Sequence, residues 1–160
     1  MIVLGVDPGF SVTGWAIISK QGNKQTLIAY GFLPLPAKKE LYERIGIFYD
    51  FFTEKIKTYG VTDLAIETPF LGKNAQTFLK LGYLRGVLCL MTYQSKLKLH
   101  EFSPREVKLA VTGFGGAQKD QVARMVHMLF PGLPQPKTYD VTDAVAVSLC
   151  GLWHQPVSHL

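Results

Sequence analysis

Four carboxylates stand where an α/β chain could use them together. Asp7 ends the apolar run Ile2 to Val6 and is followed by Pro8-Gly9, and Glu67 ends Leu64-Ala65-Ile66 and precedes Thr68-Pro69. Asp140 and Asp143 lie three apart in a stretch of helical pattern, so they share one helix face. If the two apolar runs are neighbouring strands, Asp7 and Glu67 emerge side by side at the carboxyl edge of a sheet, where open α/β sheets bind ligands. The helix can then close the group. Ionised carboxylates this close repel and raise one another's pKa unless cations neutralise them. An oxygen-only set without His or Cys suits magnesium or manganese, and two such ions about 3.5 to 4 Å apart can activate a water and stabilise a leaving oxygen. That is the chemistry of a two-metal phosphodiester hydrolase. Each acid also has a plainer reading, as a turn residue for Asp7 and Glu67 or as a complement to a helix dipole for Asp140 and Asp143. The apolar runs leading straight into the acids, and the apolar remainder of the last helix, leave the four needing a partner.

The elements that must position these acids alternate between strand and helix patterns, which predicts one α/β unit. Ile2 to Val6, Val12 to Ser19 and Thr26 to Leu35 read as three antiparallel strands, with a turn at Gln21-Gly22-Asn23-Lys24. From Lys39 to Tyr59 the apolar residues Leu41, Ile45, Phe48, Phe52, Ile56 and Tyr59 recur at helical spacing, and Gly60 ends the helix. A fourth strand ends at Glu67, a long helix runs from Asn74 to Gln94, and a fifth strand spans Leu97 to Phe102. Gly82 and Gly86 in that helix suggest close approach of another backbone, either within the chain or from a second copy. Ser103-Pro104-Arg105-Glu106 supplies an N-cap serine, a first-turn proline and a capping glutamate for a helix reaching Thr112. Val122, Met125, Val126 and Leu129 mark a further helix, and the last runs from about Tyr139 to His154. We expect a domain over 1–155 and a flexible end over 156–160.

Composition narrows the partners. The chain has 160 residues, 48% of them hydrophobic and 18% charged, enough for a core without disulfides or structural zinc. Cys89 and Cys150 sit apart in apolar stretches and read as buried thiols of a reducing compartment. No basic, apolar, small-residue leader opens the chain and no window is apolar enough to span a membrane, so a soluble, cytoplasmic protein with no membrane partner is expected. Seventeen Lys and Arg against twelve Asp and Glu give a net charge of +5, the sign that suits a polyanion.

Five stretches stand in order along essentially the whole chain: Gly5-Val6-Asp7-Pro8-Gly9 with Thr13-Gly14-Trp15, Ile66-Glu67-Thr68-Pro69-Phe70-Leu71-Gly72-Lys73-Asn74, Leu79-Lys80-Leu81-Gly82 with Arg85-Gly86, Val107-Lys108, and Tyr139-Asp140-Val141-Thr142-Asp143-Ala144. By these the sequence resembles the RuvC family of Holliday junction resolvases. The resemblance implies a ribonuclease H-like fold, five mixed strands flanked by helices, and a homodimer that nicks two opposed strands of four-way junction DNA in recombination and repair. It carries the acidic tetrad onto Asp7, Glu67, Asp140 and Asp143, holding two Mg2+ per subunit, with Mn2+ as an alternative. Asp7 would be the central, bridging ligand. It also implies cooperation with a RuvA–RuvB branch-migration complex.

For DNA contacts the resemblance places an aromatic wedge at Phe70, where an apolar ring can replace stacking lost at a branch, and DNA-contacting lysines at Lys108 and Lys119. Lys73, Lys80 and Arg85 could meet phosphates if their helix lies across the cleft, with Arg105 and Arg124 as secondary candidates. Three other readings compete: a related RNA-processing nuclease, a junction-binding protein without catalysis, and one lobe of an actin-like phosphate-binding protein. The Asp-x-x-Asp helix and Phe70 favour the resolvase over the first. The intact acids speak against the second and the chain's length against the third.

Overall fold

Runs of Val, Ile, Trp and Ala at period two build the sheet, and their alternation decides which helix each face receives. The computed structural model describes residues 1–69, 72, 74–134 and 138–154. Ile2–Asp7 (β1), Val12–Gln21 (β2) and Lys24–Pro34 (β3) form an antiparallel meander. Asp63–Glu67 (β4) pairs parallel to β1, and Lys98–Phe102 (β5) parallel to β4, giving the order β3-β2-β1-β4-β5. This is the five-stranded mixed sheet expected.

Leu4, Val6, Ile17, Leu64 and Ile66 point to one face and pack with Phe48, Phe52 and Ile56 of the helix Leu41–Tyr59 (α1) and with Leu84, Leu88 and Met91 of Ala75–Gln94 (α2). Val3, Ala16, Ile18 and Ala65 point to the other, against the helix Asp140–Trp153 (α5). Pro104–Thr112 (α3) and Lys119–Leu129 (α4) pack on α5 from outside. The α5 face of the sheet is made of small residues for a reason. A Cβ on Gly5 would stand 2.1 Å from Ser148 Oγ and 2.7 Å from the Ala144 carbonyl oxygen, so α5 rests directly on the β1 backbone. The Ser148 hydroxyl lies 3.0 Å from the Ala16 carbonyl oxygen and 2.9 Å from that of Ala144, which satisfies the one polar side chain of this contact.

Several expectations needed correction. The first helix starts at Leu41 rather than Lys39, because Glu40 caps it: its own N–H donates to Glu43 Oε2 at 3.0 Å. The Ser103–Glu106 capping box of α3 forms as read. Cys150 is buried, but Cys89 is only half-buried, since it lies between the inward and outward sides of α2. A Cβ on Gly82 or Gly86 would meet nothing within 4 Å among the described residues, so no other described segment packs against them. No helix among the described residues is long and apolar enough to cross a membrane.

Candidate active site

Period-two alternation puts Asp7 in phase with Val3 and Gly5, and Glu67 in phase with Ala65, so both acids leave their strands on the α5 face. Glu67 pairs with Phe102, and Asp7 with Gly14, at the carboxyl edge of β1, β4 and β5. Gly14 links this edge to the last helix. A Cβ there would lie 2.0 Å from the Asp140 carbonyl oxygen, so β2 and the first residue of α5 touch backbone to backbone. One residue position thus abuts both Asp7 and Asp140, and Asp143 follows one helical turn on. A cleft of about 170 Å³ opens here, lined by Asp7, Pro8, Glu67, Thr68, Pro69, Leu81 and Pro104. A larger hollow of about 600 Å³, lined by Tyr30, Phe32, Leu133 and Val141, reaches the site through Asp140 and offers it no further carboxylate.

The electrostatics show that the acids feel one another. Burial, and then the charges of Glu67, Asp143 and Asp140, push the Asp7 carboxyl up to about 8. Burial and Asp143 push Glu67 up to about 7. Asp143 is raised by burial and by Asp140, against the pull of Lys119. Lys119 Nζ sits 2.7 Å from Asp143 Oδ2, and its ammonium lowers the pKa of Asp7 and Glu67 as well. Asp140 faces the more open side and accepts a hydrogen bond from the Thr138 hydroxyl at 2.7 Å. Among the described residues no three acids, imidazoles or thiols already enclose an ion-sized space; the carboxylates face one another at Coulombic range. A set of all-oxygen donors, three of them made harder to ionise by burial and by a neighbouring acid, gains most from a divalent cation placed between them. The donor chemistry therefore fits such an ion.

Lys119 supplies a prediction at this point. With Lys119→Met the positive charge that favours ionisation of Asp7, Glu67 and Asp143 is gone, so their protons leave at higher pH. The acid limb of the pH–rate profile for metal-dependent cleavage is expected to move in the alkaline direction, as a kcat/KM profile would show.

The remaining residues singled out in the sequence fall into distinct places. Lys108, on α3, is near enough to lower the pKa of Glu67 and Asp143. Lys80, on the exposed side of α2, stands 5.7 Å from the centre of the Phe10 ring. Arg85 is engaged by Glu101, at 2.7 Å from Nε and 2.6 Å from Nη2. Arg105 is exposed on α3, and Arg124 pairs with Asp120 one turn away at 2.8 Å. Phe70 and Lys73 lie outside the described residues.

Two residues that hold the Asp7 turn were not legible as such. The buried Thr13 hydroxyl donates to the Gly9 carbonyl at 2.9 Å and accepts from the Gly9 N–H at 3.2 Å. Arg44 of α1 covers the Phe10 ring at 4.1 Å and donates to the carbonyls of Phe10 and Leu35. The signal for Arg44 was present: it is the one cation on the apolar stripe between Leu41 and Phe48.

Comparison with known proteins decides the family. The family model described as "Crossover junction endodeoxyribonuclease RuvC" matches residues 3–151. The chain belongs to the RuvC family. RuvC of Halothermothrix orenii is 43% identical over 150 residues, covering 94% of this chain and 91% of that protein. RuvC of Heliobacterium modesticaldum is 39% identical, covering 94% and 93%. The structure of Thermus thermophilus RuvC in complex with a Holliday junction substrate superposes with a TM-score of 0.85 at 26% identity, over 94% of this chain and 92% of that one. The yeast mitochondrial Holliday junction resolvase Ydc2, at 14% identity and a TM-score of 0.67, shares the fold. The ribonuclease H-like fold and the class of crossover junction endodeoxyribonuclease follow from RuvC membership, and with that class comes dependence on a divalent metal ion.

Proposed function

We propose that the chain resolves four-way (Holliday) DNA junctions by paired, symmetric nicks, with Asp7, Glu67, Asp140 and Asp143 as the acids of the reaction and two Mg2+ per subunit. The observation that carries this reading is the gathering of Asp7 and Glu67 at one sheet edge with Asp143 of α5, where burial first, and then a neighbouring acid, raises each of the three carboxyls. Asp7, the most strongly raised, would be the central ligand, Glu67 and Asp143 would complete the donors of the two ions, and Asp140 would hold a metal or a bound water. When bound, magnesium supplies Lewis-acid polarisation of the phosphate and a water made acidic enough to attack at neutral pH. Mn2+ fits the same oxygen donors.

The chain's own groups bind and orient. Lys119, its side chain 64% exposed, and Lys108 present positive charge to the strand beside the acids. Arg44 and Thr13 hold the Pro8-Gly9-Phe10 turn so that Asp7 keeps its direction. Hydrolysis delivers hydroxide to phosphorus and a proton to the departing 3′ oxygen, leaving 5′-phosphate and 3′-hydroxyl ends. Phe70 as the wedge, and Lys73, Lys80 and Arg85 as phosphate contacts, belong to this reading, Arg85 after release from Glu101. So do a cytoplasmic location beside the DNA and cooperation with RuvA–RuvB.

Opposed nicks in a two-fold junction call for a two-fold enzyme. Leu79, Tyr83, Leu90 and Tyr93 are exposed on α2, at steps that keep them on one helix face together with the open Gly86. We read this face as the contact with a second copy. Tyr83→Glu with Leu90→Glu is expected to give a monomer by light scattering and to abolish paired nicking, with the far-UV spectrum unchanged.

The test of the whole reading is cleavage of a mobile four-way junction and of a matched linear duplex, in magnesium or in EDTA. Paired nicks in the junction alone, dependent on magnesium, are expected. Junction binding by a folded dimer without cleavage under any divalent ion would overturn the catalytic reading, and preferential cleavage of structured RNA would move the enzyme to RNA processing.

A further inference from the structure

At the end of the sheet remote from the acids lies a hollow of about 430 Å³, lined among others by Lys20, Lys96, Lys98, His100 and His154. Asp63 and Glu67 begin and end β4, so roughly four strand steps, about 13 Å, separate the two sites. Asp63 is the one carboxylate of the lining, and it is turned inward. It is buried, accepts from the Thr62 hydroxyl at 2.6 Å, and lies 2.9 Å from His100 Nε2. Among the described residues none of the three lysines has a carboxylate within 4.0 Å, so their charge is left to whatever enters the hollow.

The backbone supplies a second, independent observation. Lys96 follows the C-cap of α2 with φ 54°, the one non-glycine residue with positive φ among the described residues. Glycine is the usual residue at such a place, and a residue with a Cβ is strained there. A glycine would serve the turn more cheaply, so the residue's value lies in its side chain, and that side chain lines the hollow. A strained backbone position whose side chain faces a cavity points to use. Three ammonium groups without a carboxylate partner among the described residues, around a hollow of the size that holds small ligands, suit an oxyanion, and on a basic chain of a DNA-processing family the phosphate oxygens of an ester.

We propose that this hollow is a second phosphate-binding site, which takes the phosphates of a nucleotide or of a nucleic-acid strand other than the segment held at the catalytic edge. It stands on residues that share nothing with the acidic cluster, so failure of either reading leaves the other in place.

The test uses the full chain in EDTA, which keeps metal-bridged binding at the acids out of the result. ATP is titrated against the histidine ring resonances, with sodium chloride at matched ionic strength as the comparison. His100 and His154 are expected to shift saturably with ATP and not with chloride, while His127 stays still. The double variant Lys96→Gly, Lys98→Gln is expected to weaken that binding at least about tenfold, the loss of about 1.4 kcal/mol or more. Because Lys96→Gly relieves the turn, the variant is expected to melt no lower than the parent, which separates weakened binding from impaired folding. Four-way junction binding at several salt concentrations then distinguishes the sources. If a strand is the ligand, the variant binds more weakly and the slope of log K against log salt becomes shallower by about 2, near 0.9 for each phosphate that is no longer neutralised. If a nucleotide is the ligand, junction binding is unchanged and only the ATP response disappears. Ring shifts no larger in ATP than in chloride, together with unchanged junction binding in the variant, would overturn the proposal.

Discussion

Asp7→Asn is expected to abolish cleavage and, in EDTA at pH 8, to make the protein more stable. The two effects share one cause. The ordinary aspartate value is 3.8, and in the fold Asp7 rises to about 8; Glu67 rises from 4.5 to about 7. Between the ordinary and the raised values the folded chain holds protons that the unfolded chain has released. Stability without metal is therefore fully present below about pH 4 and falls as pH rises through about 7 and 8. Asparagine keeps the neutral form at every pH.

A gain on the order of 2 kcal/mol at pH 8 is expected for Asp7→Asn, a rise in Tm of about 5 °C for a chain of this length. The gain shrinks toward nothing at pH 4. Magnesium should raise the Tm of the parent through its affinity for the folded state and do much less for the variant. Cleavage should fall by on the order of 10³-fold or more, as when a central member of a catalytic unit is removed. Thermal melts at pH 4, 6 and 8, with and without magnesium, together with single-turnover cleavage, check all of this. A variant less stable than the parent at pH 8 in EDTA would show that burial and the neighbouring acids do not hold the Asp7 carboxyl in its neutral form in the fold.

The second large effect is expected from one methyl group. Gly14→Ala places a Cβ 2.0 Å from the Asp140 carbonyl oxygen, and the next nearest atoms, at 2.7 and 3.3 Å, are also backbone. No rotamer can relieve that contact, so the start of α5 must move away from β2. Overpacking of this kind costs about 1 to 3 kcal/mol. Its functional cost is larger, because Asp140 and Asp143 move with the helix while Asp7 stays with β1. A displacement near 1 Å in a positioned site costs roughly 10²-fold in rate. We therefore expect a folded protein with a Tm a few degrees lower and cleavage down by about two orders of magnitude, through kcat rather than junction affinity. Gly46→Ala is the matched control: it lies in α1 with open space around its Cβ direction and should stabilise by about 0.5 to 1 kcal/mol without changing cleavage.

The contrast between these two glycines also marks where sequence reading stops. Local patterns located the strands, the helices and the Ser103–Glu106 box, though not the Glu40 cap of α1, because period-two and period-3.6 burial and such a box are properties of neighbouring residues. The same patterns placed Asp7 and Glu67 at strand ends and Asp140 and Asp143 on one helix face. Which glycine has a close neighbour is not a local property. Gly82 and Gly86 look like packing glycines by spacing and face open space, whereas Gly14 looks like any strand glycine and meets Asp140.

Proximity between distant segments decided the rest. The sequence by itself determined which residues could ionise, which runs would be buried and where the chain would turn, since these depend on side-chain chemistry and on residues a few positions away. Only the tertiary structure decided that Lys119 meets Asp143, that Arg44 leaves the apolar stripe of α1 to grip the Asp7 turn, and that three lysines from separate elements ring one hollow. Charge and burial act through distance in space, and until β1, β4 and α5 are packed the sequence holds no such distances. That is why the acids could be named from the chain alone, while their mutual effect on ionisation required the fold.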